Sequence, residues 1–265
     1  MAEEFIKANG LRFTVSRGGI EQDILNCDEF SAFAGEFVGI VGPNGAGKTT
    51  LLKALAGLIE AQGEIRIMDC SGKLRRIESF TGRERSRALC FMHQDTSVPF
   101  AFTVREVVSM GRYPWQGRFS SLSSVDGEIV DKAMEKAGCL PISERLVPSL
   151  SGGERQMVML ARALAQDTHI ILLDEPTASL DIGNAQNVFR ICRELAAAGN
   201  CVVAVLHDLR QAAAACTRVC LLNSGSVLSS GSPKEVLTPE NIKSAYGVDV
   251  QVFENPAGEW DFYIN

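Results

Sequence analysis

The sequence contains little that would place the chain in a membrane or cross-link it. Its uninterrupted apolar runs are short, such as "CVVAVL" at residues 201–206, whereas a membrane-spanning helix needs about 18 to 20 apolar residues. The eight cysteines include no C-x-x-C spacing, and the closest pair, Cys216 and Cys220, has no second pair or nearby histidine. These absences exclude a membrane span and a zinc site of ordinary spacing, and they indicate reduced thiols in a cytosolic protein.

Positive charge is also scarce. The 26 Lys and Arg residues are outnumbered by 32 Asp and Glu residues, which gives a net charge of -6. Because nucleic acids are held by clustered basic side chains, we expect no nucleic-acid partner. The first ten residues, "MAEEFIKANG", have neither the basic nor the apolar segment of a secretory signal, so we expect no signal peptide.

The chain has instead a series of buried-strand patterns. These short runs, rich in Val and Ile, cover residues 36–41, 64–68, 88–92, 169–174, 201–207 and 218–222. Helical patterns separate them, which is typical of an α/β fold with a parallel sheet covered on both faces. Between Gln94 and Leu150 amphipathic segments replace the strands and predict an inserted helical subdomain. After Ser230 we predict a Ser-capped helix that starts with proline, a second helix and a terminal hairpin.

The segment "VGPNGAGKTTLLKALAG", residues 41–57, carries the clearest chemistry. It fits the phosphate-binding pattern G-x-x-x-x-G-K-[ST] from Gly42 to Thr49, between a strand pattern and a helix pattern. In such a loop backbone N–H groups surround the phosphates, Lys48 neutralises the β and γ oxygens, and the Thr49 hydroxyl binds Mg²⁺. A Gly-rich turn without a ligand is the alternative, but it does not explain the flanking strand and helix.

A second strand pattern, "IILLDEP" at residues 170–176, ends in two adjacent carboxylates. Ligands bind at the carboxyl ends of strands in open parallel sheets. Asp174 is therefore a candidate to hold Mg²⁺ through water, and Glu175 is a candidate base for an attacking water. A solvated strand end explains this motif alone equally well, but the phosphate-binding loop favours the catalytic interpretation.

The segment "SLSGGERQMVMLARALAQ", residues 149–166, combines a helix start with two adjacent glycines. Ser151 and Glu154 have the spacing of a capping box before an amphipathic helix. A cap does not require Gly152 and Gly153, which are poor helix formers and let an external phosphate approach backbone N–H groups. Helix capping and phosphate contact are compatible here.

Together, "GPNGAGKT", "LSGGE", "ILLDEP", "SLD" and "AVLHD" resemble the motifs of the nucleotide-binding subunit of an ATP-binding-cassette (ABC) transporter, in the family's order and over essentially the whole chain. The resemblance implies a P-loop NTPase (RecA-like) core of mostly parallel strands with N-terminal antiparallel strands, at residues 1–94 and 156–230. It also implies a helical subdomain with the signature motif at 95–155, and C-terminal helices and a hairpin at 231–265. "FAFTVREVVSMGRYPW" and the C-terminal segment look most like importer cassettes for ferric siderophores, haem or cobalamin.

The resemblance implies an ATPase that produces ADP and phosphate, uses Mg²⁺, and forms a head-to-tail homodimer around two ATP molecules. The residues that it implies in ATP binding are Gly42, Pro43, Asn44, Gly45, Ala46, Gly47, Lys48, Thr49, Thr50, Ser151, Gly152, Gly153 and Asp181. Those that it implies in catalysis are Glu175, His207, Gln94 and Lys48, with Thr49, Gln94 and Asp174 at the metal. Taken alone, Gln94 and His207 are also ordinary strand ends, and Asp181 is also a helix cap before Ile182.

The implied partners are an integral membrane permease and a substrate-binding protein upstream of it. The chain would then be cytoplasmic and peripheral on the inner face of the cell membrane through the permease, with no direct insertion. We expect the docking surface between Gln94 and Trp115, where Phe100 and Phe102 follow a proline and at least one should face outward. The alternative is that both phenylalanines pack inside the helical subdomain.

The adenine contact departs from the family pattern. The family stacks an aromatic residue on adenine from an N-terminal strand, and the position that aligns with it here is Val15. Phe13 lies two residues earlier, on the same strand face, and is a candidate substitute.

Two other functions are compatible with parts of the pattern. One is a soluble ABC ATPase of an assembly system, such as iron–sulfur cluster biogenesis, which would have cytosolic partners. The other is a nucleotide-binding module without hydrolysis, against which Glu175 argues because such a protein needs no positioned base.

Overall fold

This computed structural model describes residues 3–17, 20–96, 100–117, 121–255 and 260–264. Within these ranges the strands are β1 (Glu4–Arg17), β2 (Ile20–Phe33), β3 (Phe37–Val41), β4 (Gln62–Met68), β5 (Leu74–Arg76), β6 (Leu89–Met92), β7 (Ile170–Asp174), β8 (Cys201–Val205), β9 (Arg218–Asn223), β10 (Ser226–Gly231), β11 (Val250–Glu254) and β12 (Trp260–Ile264). The helices are α1 (Lys48–Leu55), α2 (Gly82–Ala88), α3 (Val104–Ser109), α4 (Ser124–Ala137), α5 (Gly152–Ala165), α6 (Ile182–Ala197), α7 (Leu209–Ala215), α8 (Pro233–Val236) and α9 (Pro239–Tyr246).

The central sheet has the strand order β10-β9-β3-β8-β7-β6 in the described part of the chain. Its neighbours from β9 to β6 are parallel, and β10 is antiparallel to β9. The middle strands β3, β7 and β8 are buried at every position. On β3, Phe37 and Val41 belong to one core cluster while Val38 and Ile40 belong to another. This alternation confirms the predicted α/β fold with a sheet covered on both faces.

A second sheet, in the order β2-β1-β4-β5, is antiparallel. The run at residues 64–68, which we grouped with the parallel strands, lies in this sheet as part of β4, so that assignment was wrong. Its burial alternates, with Ile65 and Ile67 buried around an exposed Arg66. A period of two is typical of an antiparallel strand with one covered face.

Helix starts agree closely with the sequence signals. Ser151 caps α5, and its side chain accepts a hydrogen bond from the Glu154 N–H while the Glu154 carboxylate accepts from the Ser151 N–H. Asp181 caps α6 through its side chain alone, which accepts a hydrogen bond from the Asn184 N–H. These caps fix the start of α5, which carries Gly152 and Gly153, and the start of α6, which follows the "SLD" segment.

The helical segment shares a core with the central sheet. Buried residues of α3, α4 and α5, such as Val108, Met134 and Leu160, belong to the same cluster as Leu173 of β7. Helix α5 runs continuously across residue 155, and the division of the chain at residues 95 and 155 stays a prediction.

All eight cysteines lie among the described residues as free thiols, and every one except Cys70 is buried. Burial raises the pKa of Cys90 to about 11, which keeps this thiol protonated and unreactive at neutral pH. No helix in the described ranges is long and apolar enough to cross a membrane.

Candidate functional site

The predicted motifs meet at one edge of the central sheet. Strands β3, β8 and β7 are neighbours and run parallel, so their carboxyl ends lie side by side. The phosphate-binding loop follows β3, His207 follows β8 by two residues, and Asp174 ends β7. We predicted that the strand before His207 extends to it, but β8 ends at Val205 and His207 lies in the exposed connection to α7.

The loop from Gly42 to Gly47 is shaped by contacts that only glycine permits. Gly47 caps α1 with a φ of 91°, and a Cβ there would lie 2.6 Å from the carbonyl oxygen of Ile24. A Cβ on Gly42 would lie 2.2 Å from the carbonyl oxygen of Leu222. Side chains at these positions would collide with backbone atoms, so the loop is pressed against β2 and β9 and α1 starts directly behind it.

Lys48 lies beneath this loop and is 5% exposed. Its Nζ donates hydrogen bonds to the carbonyl oxygens of Gly42 and Pro43, at 2.8 and 2.9 Å. Burial lowers the pKa of Lys48, while the carboxylates of Glu175 and Asp174 act in the opposite direction. A desolvated ammonium group held in this way is positioned to neutralise an anion in the loop.

Thr49 and Asp174 form a pair suited to a hard cation. The Thr49 hydroxyl donates to Asp174 Oδ1 at 2.8 Å, and Asp174 is 2% exposed. Burial raises the pKa of Asp174, the Thr49 hydrogen bond counteracts this, and the Glu175 charge adds to it. The described residues contain no cluster of three or more His, Cys, Asp or Glu side chains that would hold a metal. The two oxygen donors of the pair fit Mg²⁺, which takes one or two protein oxygens and completes its shell with water and phosphate.

Glu175 lies between two polar side chains. Its carboxylate accepts a hydrogen bond from Gln94 Nε2 at 2.6 Å, and its other oxygen lies 2.5 Å from His207 Nε2. The Glu175 side chain is 13% exposed whereas that of His207 is 47% exposed. Three residues that are far apart in sequence therefore form one network beside the metal pair.

The backbone at Glu175 is unusual. Its φ is 51°, in the left-handed region that non-glycine residues seldom adopt. The side-chain amide of Gln156 on α5 donates to the Glu175 carbonyl oxygen at 3.3 Å, and Gln156 is 2% exposed. Sequence analysis missed Gln156; the only signal was a polar residue next to the apolar positions of that helix.

Residues of the "LSGGE" segment line a different cleft from Thr49 of the phosphate-binding motif. Ser151, Gly153 and Asp181 line a cleft of about 390 Å³ between the start of α5 and the start of α6. Gly152 lies beside it, with its Cβ position 3.9 Å from the side chain of Ser179. Within one chain, the predicted ATP-binding residues therefore fall into two separate groups.

The remaining loop residues vary in exposure. Asn44 and Gly45 are exposed at the tip of the loop, Pro43 and Thr50 are half-buried, and Ala46 is buried. The backbone carbonyl of Ala46 accepts a hydrogen bond from the Gly225 N–H. The exposed tip leaves the loop open to a ligand.

A cleft of about 440 Å³ adjoins the Thr49–Asp174 pair. It is lined by Thr49, Lys53, Met92, His93, Gln94, Asp95, Met159, Arg162 and Asp174. Burial, and next the charges of Lys53 and Arg162, lower the pKa of His93. Burial also lowers the pKa of Arg162. Sequence analysis missed these basic residues because nothing in their spacing connects them.

Phe13 and Val15 lie on β1, paired with Leu25 and Gln22 of β2 across an irregularity in the register. Phe13 is half-buried and packs against the core cluster beneath the antiparallel sheet, and Val15 is also half-buried. Part of the Phe13 ring is therefore engaged in packing, and its role in adenine binding stays a prediction.

Comparisons with known proteins agree with this geometry. The family model described as ABC transporter matches residues 25–178. The chain is 44% identical over 225 residues to a cobalamin import ATP-binding protein of Halobacterium salinarum, a match that covers 84% of this chain and 55% of that protein. It is 40% identical over 252 residues to a hemin import ATP-binding protein of Rhodococcus jostii, covering 95% and 82%. The chain thus spans about half the length of the first relative and most of the second.

Solved structures show the same fold. A chain assigned to a metal-chelate type ABC transporter, in an inward-facing conformation, superposes with a TM-score of 0.81 at 28% identity and covers 99% of this chain and 98% of its own. A dimeric bacterial ABC transporter cassette superposes with a TM-score of 0.76 at 26% identity, covering 86% and 98%. This chain therefore belongs to the ABC transporter family, as one of its ATP-binding cassettes.

Proposed function

We propose that this chain is the ATP-hydrolysing subunit of an importer for a metal chelate of the haem, ferric-siderophore or cobalamin kind. The observation that carries the ATP-hydrolysing part of this proposal is the network in which Gln94 and His207 hold Glu175 beside the Thr49–Asp174 pair. It combines a base, a cation site and a phosphate loop at one sheet edge, which is what hydrolysis of a phosphoanhydride requires.

Each side chain has a distinct role in this chemistry. The loop amides and Lys48 would bind the β- and γ-phosphates, and Thr49 and Asp174 would hold a Mg²⁺ ion, which would supply positive charge beside those phosphates. Glu175 accepts a proton from the attacking water, since its second carboxylate oxygen is oriented by His207. Gln94 donates to the first oxygen in the ligand-free chain, and the remaining lone pairs of the carboxylate can still accept from a water.

Two copies of the chain would be needed for a complete site. Ser151 and Gly153 line a different cleft from Thr49, Gln94 and Asp174, which is expected if one copy's signature residues close on the other copy's loop. A related cassette with a TM-score of 0.71 was solved as a dimer bound to ADP and phosphate. We therefore propose a head-to-tail homodimer with Asp181 near the contact between copies.

The cargo and its partners are inferred from the relatives. Proteins that are 40 to 44% identical are named as hemin or cobalamin import ATP-binding proteins, and this favours the importer over an assembly ATPase. A membrane permease would bind this chain on the cytoplasmic face of the membrane, and a substrate-binding protein would deliver the chelate from the other side.

The permease would dock beside α3. A groove of about 460 Å³ there is lined by Phe102, Arg105, Glu106, Ser109, Met110, Tyr113, Gln116 and Leu122. Phe100 is 66% exposed and meets the Phe102 ring edge-on, whereas Phe102 packs partly on the core. Gln116 Nε2 is buried at the base of this groove without a hydrogen-bond acceptor among the described residues. Pro99, which precedes this segment, lies outside the described residues.

The docking proposal is tested with Phe100→Asp. We expect this variant to bind ATP normally but to fail to co-purify with its permease, since a charge would enter an apolar contact. Leu58→Asp, at another exposed apolar position, is the matched control and should behave like the wild type. Membrane association retained in Phe100→Asp would refute this docking site.

The function is tested by purifying the chain with its permease and reconstituting both in vesicles. We expect ATP hydrolysis to be coupled to uptake of haem, a ferric siderophore or cobalamin. Co-purification with cytosolic iron–sulfur assembly proteins, and no membrane protein, would instead support the assembly ATPase. An absence of hydrolysis under all conditions would support a nucleotide-binding module.

A further inference from the structure

The cleft behind the metal pair contains two cations that the proposed mechanism does not use. Lys53 on α1 and Arg162 on α5 are both half-buried and line it together with His93. Among the described residues neither cation forms a hydrogen bond or a close ion pair, although the charge of Lys53 acts on the Asp174 carboxylate. Elsewhere in the described chain, the more deeply buried Arg112 is paired with Asp126 and also donates to the Ala165 carbonyl.

Partly desolvated cations without acceptors are costly, because each has lost water and gained no acceptor in return. Asp174 lines the same cleft, but its carboxylate is engaged by Thr49 and fits the metal. Asp95 also lines the cleft. Two positive charges and an imidazole face one water-accessible space that the carboxylates of Asp174 and Asp95 also line. The guanidinium and ammonium donors there are suited to an anion with several acceptor oxygens.

The size and position of the cleft favour a small tetrahedral anion. A water molecule occupies about 30 Å³, so about 440 Å³ holds a phosphate ion with several waters. The cleft also shares Thr49, Gln94 and Asp174 with the candidate metal site. An anion at the candidate metal site would therefore lie at the edge of the cleft that contains Lys53 and Arg162.

We propose that this cleft is a second oxyanion site that takes inorganic phosphate, bound by Arg162, Lys53 and the His93 ring. The identification of this phosphate as the product of ATP hydrolysis rests on the proposed function. The binding of phosphate at the site does not depend on that function. In the working enzyme the site would receive phosphate as it leaves the metal and keep it from recombining with ADP.

The chain has only three histidines, so histidine side-chain NMR can separate this site from the phosphate loop. His93 lines the cleft, His207 contacts Glu175 at the loop site, and His169 lies against Phe5 and Asn200, away from both. Inorganic phosphate is added at constant pH and ionic strength to the nucleotide-free protein. We expect a saturable shift of the His93 signals that survives in Lys48→Ala, whose loop site is disabled, while His169 stays unchanged.

Arg162→Gln should weaken phosphate binding, read from the His93 shift, by about tenfold or more, since a charge-assisted hydrogen bond is lost. Lys53→Gln should weaken it as well, and this variant provides the test if Arg162→Gln fails to fold. Arg193→Gln, an exposed arginine on α6, is the matched control and should leave the shift intact.

Phosphate that shifts only the His207 signals, or a His93 shift that disappears in Lys48→Ala, would overturn the proposal. A His93 shift of equal midpoint in wild type and Lys53→Gln would overturn it too. None of these measurements requires hydrolysis, so an inactive ATPase that still shows the His93 shift would refute the proposed function and leave this site standing.

Discussion

Replacing Glu175 with Gln tests the proposed base with little change in shape. The Glu175 carboxylate accepts from Gln94 at 2.6 Å and lies 2.5 Å from His207. A glutamine has one acceptor oxygen and one NH₂ donor. Its oxygen can still accept from Gln94, and its NH₂ group can donate to His207 only if the His207 Nε2 is unprotonated. The cost of this change in the ligand-free chain should be about 1 kcal/mol, the usual net value of one hydrogen bond.

The effect on hydrolysis should be much larger. General-base catalysis typically contributes about 10²- to 10⁴-fold, which corresponds to about 3 to 5 kcal/mol of activation free energy. We therefore expect kcat to fall by at least about a hundredfold while the Kd for MgATP changes by less than about tenfold. With hydrolysis blocked, the ATP-bound dimer should accumulate.

The assay combines steady-state ATPase activity, MgATP titration and sedimentation velocity. Glu194→Gln, at an exposed ion-paired carboxylate on α6, serves as the control for removal of one negative charge. A kcat for Glu175→Gln within about threefold of wild type would be a smaller loss than any expected on removal of a general base. That result would refute the assignment of Glu175 as the base. Sedimentation that shows only monomer at saturating MgATP would refute the head-to-tail homodimer.

Three further changes probe the rest of the site. Lys48→Ala should abolish hydrolysis and weaken MgATP binding by about 10- to 100-fold, since a charge-assisted donor is lost; unchanged steady-state activity would exclude the loop assignment. Asp174→Asn should raise the melting temperature of the nucleotide-free chain at pH 7 and remove the Mg²⁺ dependence of nucleotide binding. Burial raises the Asp174 pKa above its ordinary 3.8, so the folded chain binds more protons at Asp174 than the unfolded chain does. The folded chain therefore loses stability as pH rises through the folded pKa, and the neutral amide of asparagine avoids this loss. A melting temperature below wild type at pH 7 would contradict this. Phe13→Ala should raise the KM for ATP by about 5- to 100-fold if the ring stacks on adenine, and Val15→Tyr should lower it; ATP affinity unchanged in both variants would mean that adenine is held elsewhere.

The fold was largely predictable because its strands and helix starts are encoded locally. Strands β3, β7 and β8 are continuous apolar runs that need no partner to be identified. The caps at Ser151 and Asp181 follow from side chains within four residues of the groups they bind. The misassigned run in β4 shows the limit of this approach, because five residues with two buried isoleucines fit a parallel or an antiparallel sheet equally well.

The arrangement of the site was predictable only where a short motif specifies it. The loop, Asp174 and Glu175 belong to such motifs, and neighbouring parallel strands bring them to one edge. Lys53 lies on α1, His93 follows β6, and Arg162 lies on α5. The three side chains meet because these elements surround the same end of the sheet. No spacing rule connects residues 53, 93 and 162, so only the packed structure reveals their cleft.

The backbone at Glu175 shows why the remaining geometry escapes sequence analysis. A left-handed conformation at a residue with a Cβ costs about 1 to 2 kcal/mol, and Glu175 adopts it with a φ of 51°. The strain persists because the surroundings hold the carbonyl oxygen, which accepts from the buried Gln156 amide and from the Ala178 N–H. This turn leads the chain out of β7 at the residue whose side chain meets Gln94 and His207. A glycine would relieve the backbone but remove the carboxylate, so the strained conformation is explained by the position of the Glu175 side chain and not by stability.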